Sequence, residues 1–133
     1  MGDVSAEEPC LVRVQVLNSL RDVLATRRPG FKSTWSLPDS MRRIAAEGVG
    51  VVVLVGQEHS FAEELDQVRA FPDIPTSQRT TSEHGVFRVI GTGSQILRDI
   101  GVSKMRLLSS PTRYNAISGF QLEVVEFVEN DAN

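Results

Sequence analysis

The sequence is short of cysteine, aromatic residues and long apolar runs. Its 133 residues include one cysteine and 6% aromatic residues. A single cysteine excludes an intramolecular disulfide, and the longest apolar run, Val49 to Val55, is too short to cross a bilayer. A net charge of −3 argues against a surface built for nucleic acid or anionic lipid. We therefore expect no nucleic acid polymer and no membrane among its partners.

Length and composition are ordinary for one globular domain, with 41% hydrophobic and 23% charged residues. Residues 1–9 are small, polar and acidic without periodicity, so we expect a flexible N-terminal segment or linker remnant. We place one domain at residues 10–129 and a flexible tail at residues 130–133. No charged segment followed by an apolar stretch marks a signal peptide, so the cytoplasm is the expected location.

Short apolar runs alternate with amphipathic segments along the chain. Residues 11–17 form a β-rich run, and residues 49–55 are apolar at nearly every position, which is typical of a strand covered on both faces. Between them the pattern predicts a helix that is capped by Ser36 or Asp39 and closed by Gly48. This order predicts an α/β fold with a parallel or mixed sheet and helices packed on it.

The middle of the chain combines an amphipathic segment with a polar one. Residues 60–70 predict an amphipathic helix with Ser60 as its cap. Residues 71–83 are rich in proline and small polar residues and predict a long loop. The loop is functional, mobile or the remnant of a site, and the sequence leaves these alternatives open. Val86 to Ile90 indicates a short strand or extended segment.

The most informative stretch runs from Ile90 to Tyr114. Its residues Gly91–Gly93 break the preceding run, and Thr92 with Gln95 has the pattern of a capping box, so we predict that a helix begins here. Gly101 follows the last apolar position of that helix, where a left-handed C-cap is favourable. Two further strands are predicted after it, at residues 105–108 and 120–128, with a second cap at residues 109–111.

The predicted helix start is also the candidate binding site. Free backbone N–H groups and the helix dipole favour anions at such a position, although ordinary capping explains the same residues. Positive charge is concentrated around this stretch. The possible nucleotide or anion contacts are Gly91, Thr92, Gly93, Ser109 and Arg113.

The spacing of the candidate metal ligands and catalytic groups in the sequence matches no known motif. Cys10, His59 and His84 are residue types that bind zinc, but their spacing matches no metal motif. Glu58 follows an apolar strand and could act as a general base, but a solvated carboxylate is the simpler interpretation. We therefore assign no catalytic residue and no metal ligand.

The stretch carries a family resemblance as well. Several segments resemble the C-terminal part of GTP cyclohydrolase II of riboflavin biosynthesis, and the upstream segments at residues 19–23 and 37–52 resemble it weakly. The resemblance implies the family's α/β fold and a homodimer. The matching segments are Gly93-Ser94-Gln95-Ile96-Leu97, Asp99-Ile100-Gly101-Val102, Met105-Arg106-Leu107-Leu108-Ser109, and Gly119 followed by Leu122-Glu123-Val124.

The family's chemical motifs are absent from the corresponding positions. Its active members open the purine ring with a zinc-bound water, and three cysteines hold the zinc. Here Asn18 or Ser19 stands near the first cysteine, and residues 30–34 stand where the other two would be. The arginine-containing glycine loop is replaced by residues 57–62, and the last motif is shortened to residues 108–111.

The resemblance therefore implies a degenerate domain of the kind joined to the C-terminus of 3,4-dihydroxy-2-butanone 4-phosphate synthase in some bacteria. The expected role is non-catalytic, in assembly or regulation of riboflavin biosynthesis, without a cofactor. The synthase domain or another riboflavin-pathway protein is the expected partner. Two alternatives remain open. One is an active GTP cyclohydrolase II that uses zinc and magnesium to form a 2,5-diaminopyrimidine phosphate, formate and pyrophosphate. The other is a nucleotide or flavin sensor.

Overall fold

The structure is a computed structural model that describes residues 2–17, 22, 35–56, 60–70, 83–109 and 121–130, with the backbone alone at residues 83–90. Four strands and three helices lie in these ranges. In chain order they are β1 (Cys10–Val16), α1 (Leu37–Glu47), β2 (Gly50–Val55), α2 (Phe61–Ala70), α3 (Glu83–Asp99), β3 (Lys104–Leu107) and β4 (Glu123–Phe127).

The strands form one sheet in the order β2-β1-β3-β4. All pairings between these described strands are parallel. The α/β prediction is confirmed, and of the two sheet types that the sequence allowed, the described strands adopt the parallel one. The predicted runs at residues 11–17, 49–55 and 105–108 correspond to β1, β2 and β3, and β4 lies inside the predicted run 120–128.

Strand β1 is central and separates two hydrophobic cores. Alternate side chains of a strand point to opposite faces. Cys10, Val12 and Val14 therefore join the core that packs with Leu97 of α3, whereas Leu11 joins the core of the other face. The second core contains Ile44 of α1 and Leu108, with Trp35, Val52 and Val128 packed against it. Burial on both faces explains why the strands read as continuous apolar runs.

Helix α1 begins and ends as the sequence predicts. Ser36 is its N-cap, and the Ser36 hydroxyl oxygen accepts a hydrogen bond from the Asp39 backbone N–H at 3.2 Å. Gly48 is its C-cap with φ of 90°, and the Gly48 N–H donates to the carbonyl oxygen of Ile44 at 3.0 Å. A left-handed residue is least costly when it is glycine. Local capping chemistry therefore fixes both ends of this helix.

Helix α3 contradicts the predicted helix start. It begins at Glu83, so Gly91–Gly93 lie inside it and residues 86–90 are helical rather than extended. The capping box assigned to Thr92 and Gln95 is therefore wrong. Gly93 packs on the central strand, where an added Cβ would lie 2.9 Å from Cγ1 of Val14. The absence of a side chain at Gly93 lets α3 pack closely against β1. This packing outweighs the unfavourable helix propensity of glycine.

The C-terminus of α3 confirms the role predicted for Gly101. Gly101 has φ of 92°, and its N–H donates to the carbonyl oxygen of Arg98 at 3.0 Å. The N–H of Val102 donates to the carbonyl oxygen of Leu97 at 3.0 Å, and both of these side chains are buried in the same core. These bonds form a Schellman motif with its hydrophobic contact.

Helix α2 begins at the predicted cap. The N–H of Glu63 donates to the hydroxyl oxygen of Ser60 at 3.3 Å, and the N–H of Ser60 donates to the Glu63 carboxylate at 2.7 Å, which is a capping box. Its apolar face is open, since Phe61 is 80% exposed and no residue of the helix is buried. Most of the predicted 71–83 loop, the cap at residues 110–111 and Gly119 lie outside the described residues.

The terminal segments stay predictions. Val4 is partly buried and packs against the core beside α3, whereas residues 131–133 are not among those described. Among the described helices, none is long and apolar enough to span a membrane.

Candidate functional site

The chain changes direction in the sheet next to β1. It passes from β1 to β2 through α1 on one face, and then reaches β3 on the other side of β1 after α3, which packs on the opposite face. In parallel sheets of this kind, ligands bind outside the carboxyl ends of the strands at the point where the strand order reverses, which is called the switch point. The carboxyl ends of β1 and β3 are therefore the candidate functional site.

A buried arginine in the middle of β1 reaches the carboxyl end of β3. Arg13 of β1 is 9% exposed and points to the α1 face. Its Nη1 donates to the carbonyl oxygen of Leu108 at 2.7 Å, and its Nη2 donates to the carbonyl oxygen of Trp35 at 3.1 Å. Its Nε donates to Oε1 of Gln15 at 3.1 Å. The guanidinium group thus joins β1 to the end of β3 and to the segment before α1.

The bonds continue from Gln15 to an acidic residue. Gln15 is buried, and its Nε2 donates to Oδ1 of Asp22 at 3.0 Å. The amide therefore bridges Arg13 and Asp22, and the low dielectric around the buried Arg13–Gln15 bond strengthens that bond. We call Arg13, Gln15, Asp22 and Trp35 the polar cluster.

Trp35 links the polar cluster to the segment that follows β4. Its indole Nε1 donates to the carbonyl oxygen of Val128 at 2.7 Å. The N–H of Val128 in turn donates to the carbonyl oxygen of Leu107 at 2.8 Å. The N–H of Leu108 donates to the carbonyl oxygen of Val12, also at 2.8 Å. Backbone groups beyond the ends of β3 and β4 are thereby held beside the polar cluster.

The predicted contact residues that the structure describes lie on two faces of the sheet. Ser109 is buried directly after Leu108, at the carboxyl end of β3 and next to the polar cluster. Gly91, Thr92 and Gly93 lie inside α3 on the opposite face, where backbone N–H groups bond within the helix rather than facing a ligand. The free helix N-terminus on which the anion prediction rested is not formed there. Arg113 lies outside the described residues.

Sequence reasoning missed Arg13 and Gln15. Both are polar residues at alternate positions of an otherwise apolar strand, LVRVQV, so they point to the same face. A buried parallel strand normally carries apolar residues at such positions. Two polar residues two positions apart are therefore a signal of a buried polar site, and that signal was available from the sequence.

Comparison with known proteins decides the family. The model of the family described as GTP cyclohydrolase II matches residues 1–129. The chain belongs to the GTP cyclohydrolase II family. It is 48% identical over 130 residues to a 3,4-dihydroxy-2-butanone 4-phosphate synthase of Pseudomonas aeruginosa, covering 96% of this chain and 34% of that protein.

A second relative has a different name. The riboflavin biosynthesis protein RibBA of Chlorobium phaeovibrioides is 34% identical over 134 residues, covering 96% of this chain and 32% of that protein. The chain thus spans about a third of the length of these curated relatives. No solved structure matches the chain.

The zinc site implied by resemblance to active GTP cyclohydrolase II does not fit this chain's donors. Cys10 is the only cysteine, and it is buried at the amino end of β1 opposite Met105, away from the switch point. Burial raises the pKa of the Cys10 thiol, so the protonated form is favoured at neutral pH. Zinc binds the thiolate. In the described part of the chain, no three His, Cys, Asp or Glu residues are grouped to hold a metal.

The other residues weighed as ligands or catalytic groups are not located by the structure. His59 and Glu58 lie outside the described residues, and only the backbone of His84 is described. Ser19 and residues 30–34, which stand near the family's cysteine positions, also lie outside the described residues.

Proposed function

We propose that this chain is a non-catalytic GTP cyclohydrolase II-like domain with an assembly or regulatory role in riboflavin biosynthesis. The observation that carries the proposal is the position of Cys10. The family's zinc requires three thiolates, and the single cysteine here is a buried core residue of β1 with a raised thiol pKa. Such a residue stabilises the sheet and offers no ligand at the switch point.

The bonding of Arg13 supports the same proposal. At the place where α/β proteins bind ligands, each nitrogen of the guanidinium group already donates to a protein oxygen. A ligand that drew the guanidinium group out of this position would break the bonds that hold Trp35 and Leu108. Breaking them costs more than the bond energies suggest, because buried carbonyl groups would be left unsatisfied. Arg13 is therefore better suited to holding the fold than to binding a nucleotide.

The relatives support the choice of pathway and partner. Two of them are named 3,4-dihydroxy-2-butanone 4-phosphate synthase and riboflavin biosynthesis protein RibBA, and each is about three times as long as the matched region. We propose the synthase domain as the partner of this chain.

Zinc content and GTP turnover test the absence of catalysis. The chain is produced with zinc supplied and assayed with magnesium, and formate release is measured beside an active GTP cyclohydrolase II as the positive control. We expect zinc far below one atom per chain and formate no faster than in a blank, on protein shown to be folded by circular dichroism. About one zinc per chain together with formate release would establish the active-enzyme alternative.

A sensor role is the second candidate, and the buried polar cluster at the switch point favours it. Because a ligand that binds the native state raises its melting temperature, thermal shifts with GTP and with flavin mononucleotide are compared with sulfate and inorganic phosphate. A shift with GTP or flavin alone would support the sensor. Indifference to all four compounds would remove it and leave the assembly role.

A further inference from the structure

The first described residues of the chain pack on the turn between α1 and β2. An added Cβ at Gly2 would lie 2.6 Å from the carbonyl oxygen of Gly48 and 2.8 Å from Cγ2 of Val49. Gly2 also has φ of 73°, a conformation that glycine adopts at little cost and that other residues rarely adopt. The close approach and the left-handed backbone therefore both favour glycine at residue 2.

Val4 extends this contact onto the sheet. It is partly buried and packs against the core on the α3 face, as Val49 does. Among residues 2–9, all of which are described, it is the only side chain that is not exposed. We call residues 2–4 the N-terminal strap. Because a single partly buried valine buries little apolar area, the strap is expected to open more readily than the helices and strands.

Cys10 lies at the edge of the sheet that the N-terminal strap covers. Leu11 is paired with Gly50, so Cys10 is level with Val49, the residue that Gly2 contacts. Cys10 is 5% exposed and belongs to the core against which the strap packs. The strands are parallel and begin at the same edge. The strap, the turn and the thiol therefore lie together at the amino edge of the sheet.

We propose that the N-terminal strap is a conformational device that closes the amino edge of this core and opens without unfolding of the sheet. In the open state Val4 leaves the core, and the Cys10 thiol becomes accessible to solvent. The pairing of β1 with β2 runs from Leu11 to Val16, so release of the strap breaks none of it. Opening therefore exposes far less surface than global unfolding does. The proposal replaces the flexible segment expected from the sequence.

The labelling rate of the Cys10 thiol tests the proposal in the full chain. Cys10 is the single cysteine, so a chromogenic disulfide reagent reports on it alone. Val4→Asp is expected to raise the rate in native buffer by about tenfold or more, because closing the strap would bury a charge. Gly2→Ala should raise the rate as well. Ala6→Asp is the matched control, since it adds the same charge at an exposed position of the same segment. It should change the rate by no more than about twofold.

Urea distinguishes opening of the strap from unfolding of the whole domain. Labelling through a small opening depends weakly on urea, whereas labelling through global unfolding rises steeply, because the slope scales with the surface exposed. We expect the weak dependence at low urea in the wild type, in Gly2→Ala and in Val4→Asp. If Val4→Asp does not fold, the other two proteins give the same test. A steep dependence in the wild type, or equal labelling rates in the strap variants and in Ala6→Asp, would overturn the proposal.

Discussion

The indole Nε1 of Trp35 donates a hydrogen bond to the carbonyl oxygen of Val128 across 2.7 Å. Trp35 lies just before α1 and Val128 lies just after β4, so this bond joins segments 93 residues apart in sequence. The carbonyl group of the same tryptophan accepts from Arg13. One residue therefore ties the start of α1 both to the central strand and to the far end of the sheet.

Replacing Trp35 by Phe removes the indole donor and keeps an aromatic ring. The Val128 carbonyl group loses its partner, and we expect the free energy of unfolding to fall by about 1 kcal/mol. Urea denaturation measures the difference. Equal stability of the two proteins would show that the bond contributes nothing in solution.

Arg13→Met tests the polar cluster. Methionine keeps much of the side-chain volume but leaves the carbonyl groups of Leu108 and Trp35 without the arginine. We expect a loss of about 2–4 kcal/mol of unfolding free energy. The control Arg42→Met removes a surface arginine that is 76% exposed, and it should change stability by no more than about 0.5 kcal/mol. Similar small losses in both variants would contradict a structural role for Arg13.

The glycine that ends α3 is tested by Gly101→Ala. Gly101 has φ of 92°, and a Cβ in this conformation costs about 1 kcal/mol. Gly56→Ala is the control, because no atom lies within 4 Å of its Cβ position and its φ is not left-handed. That substitution should be neutral or slightly stabilising, since it lowers the entropy of the unfolded chain. The two free energies of unfolding should therefore change in opposite directions or differ by about 1 kcal/mol.

Gly93→Ala places two effects in competition. Alanine favours a helix over glycine by about 1 kcal/mol, but its Cβ would lie 2.9 Å from Cγ1 of Val14. Overpacking of this kind costs about 1–3 kcal/mol, so we expect net destabilisation. In a Val14→Ala background the same substitution should stabilise the protein. A double-mutant cycle measured by denaturation gives the sign of the change in unfolding free energy that Gly93→Ala causes in each background. The same sign in both backgrounds would contradict the close contact.

The Cys10 thiol makes stability depend on pH at the alkaline end. Desolvation by burial raises the pKa of the Cys10 thiol above its value in the unfolded chain. The contribution of the protonated Cys10 thiol to the free energy of unfolding is complete below the unfolded-state pKa. It is lost as pH rises from that value toward the raised native pKa, because only the unfolded chain has then released the proton. A thiol reagent should accordingly react slowly with native protein and rapidly in denaturant. Fast native reaction would show that Cys10 is accessible.

Much of the fold follows from local sequence signals. The runs that became β1 to β4, the caps Ser36 and Gly48 of α1, and the left-handed Gly101 could all be predicted. Each depends on residues close in sequence, either an apolar run long enough for a strand or a side chain that bonds its own helix end. Of the predicted contact residues that the structure describes, Ser109 lies at the carboxyl end of β3, and its role as a ligand contact stays a prediction.

The start of α3 could not be predicted in the same way. The two glycines near Thr92 have the local pattern of a break, and only the position of Val14 shows why Gly93 lies inside a helix. The alternation of Arg13 and Gln15 in an apolar strand was a local signal of a buried polar site, but the partners that complete the polar cluster could not be predicted. Two of the partners of Arg13 are backbone carbonyl groups 22 and 95 residues away in sequence, and no local pattern encodes them.

The sequence by itself determined the α/β class, the family resemblance and the presence of a single cysteine, because apolar periodicity, capping residues and residue types are local properties. Tertiary structure decided where those residues act. It buried Cys10 in the sheet, gave Arg13 the carbonyl groups of two distant segments, and placed Gly93 against the central strand. The physical reason is that burial and hydrogen-bond partners depend on which segments meet in space, and chain topology sets those meetings.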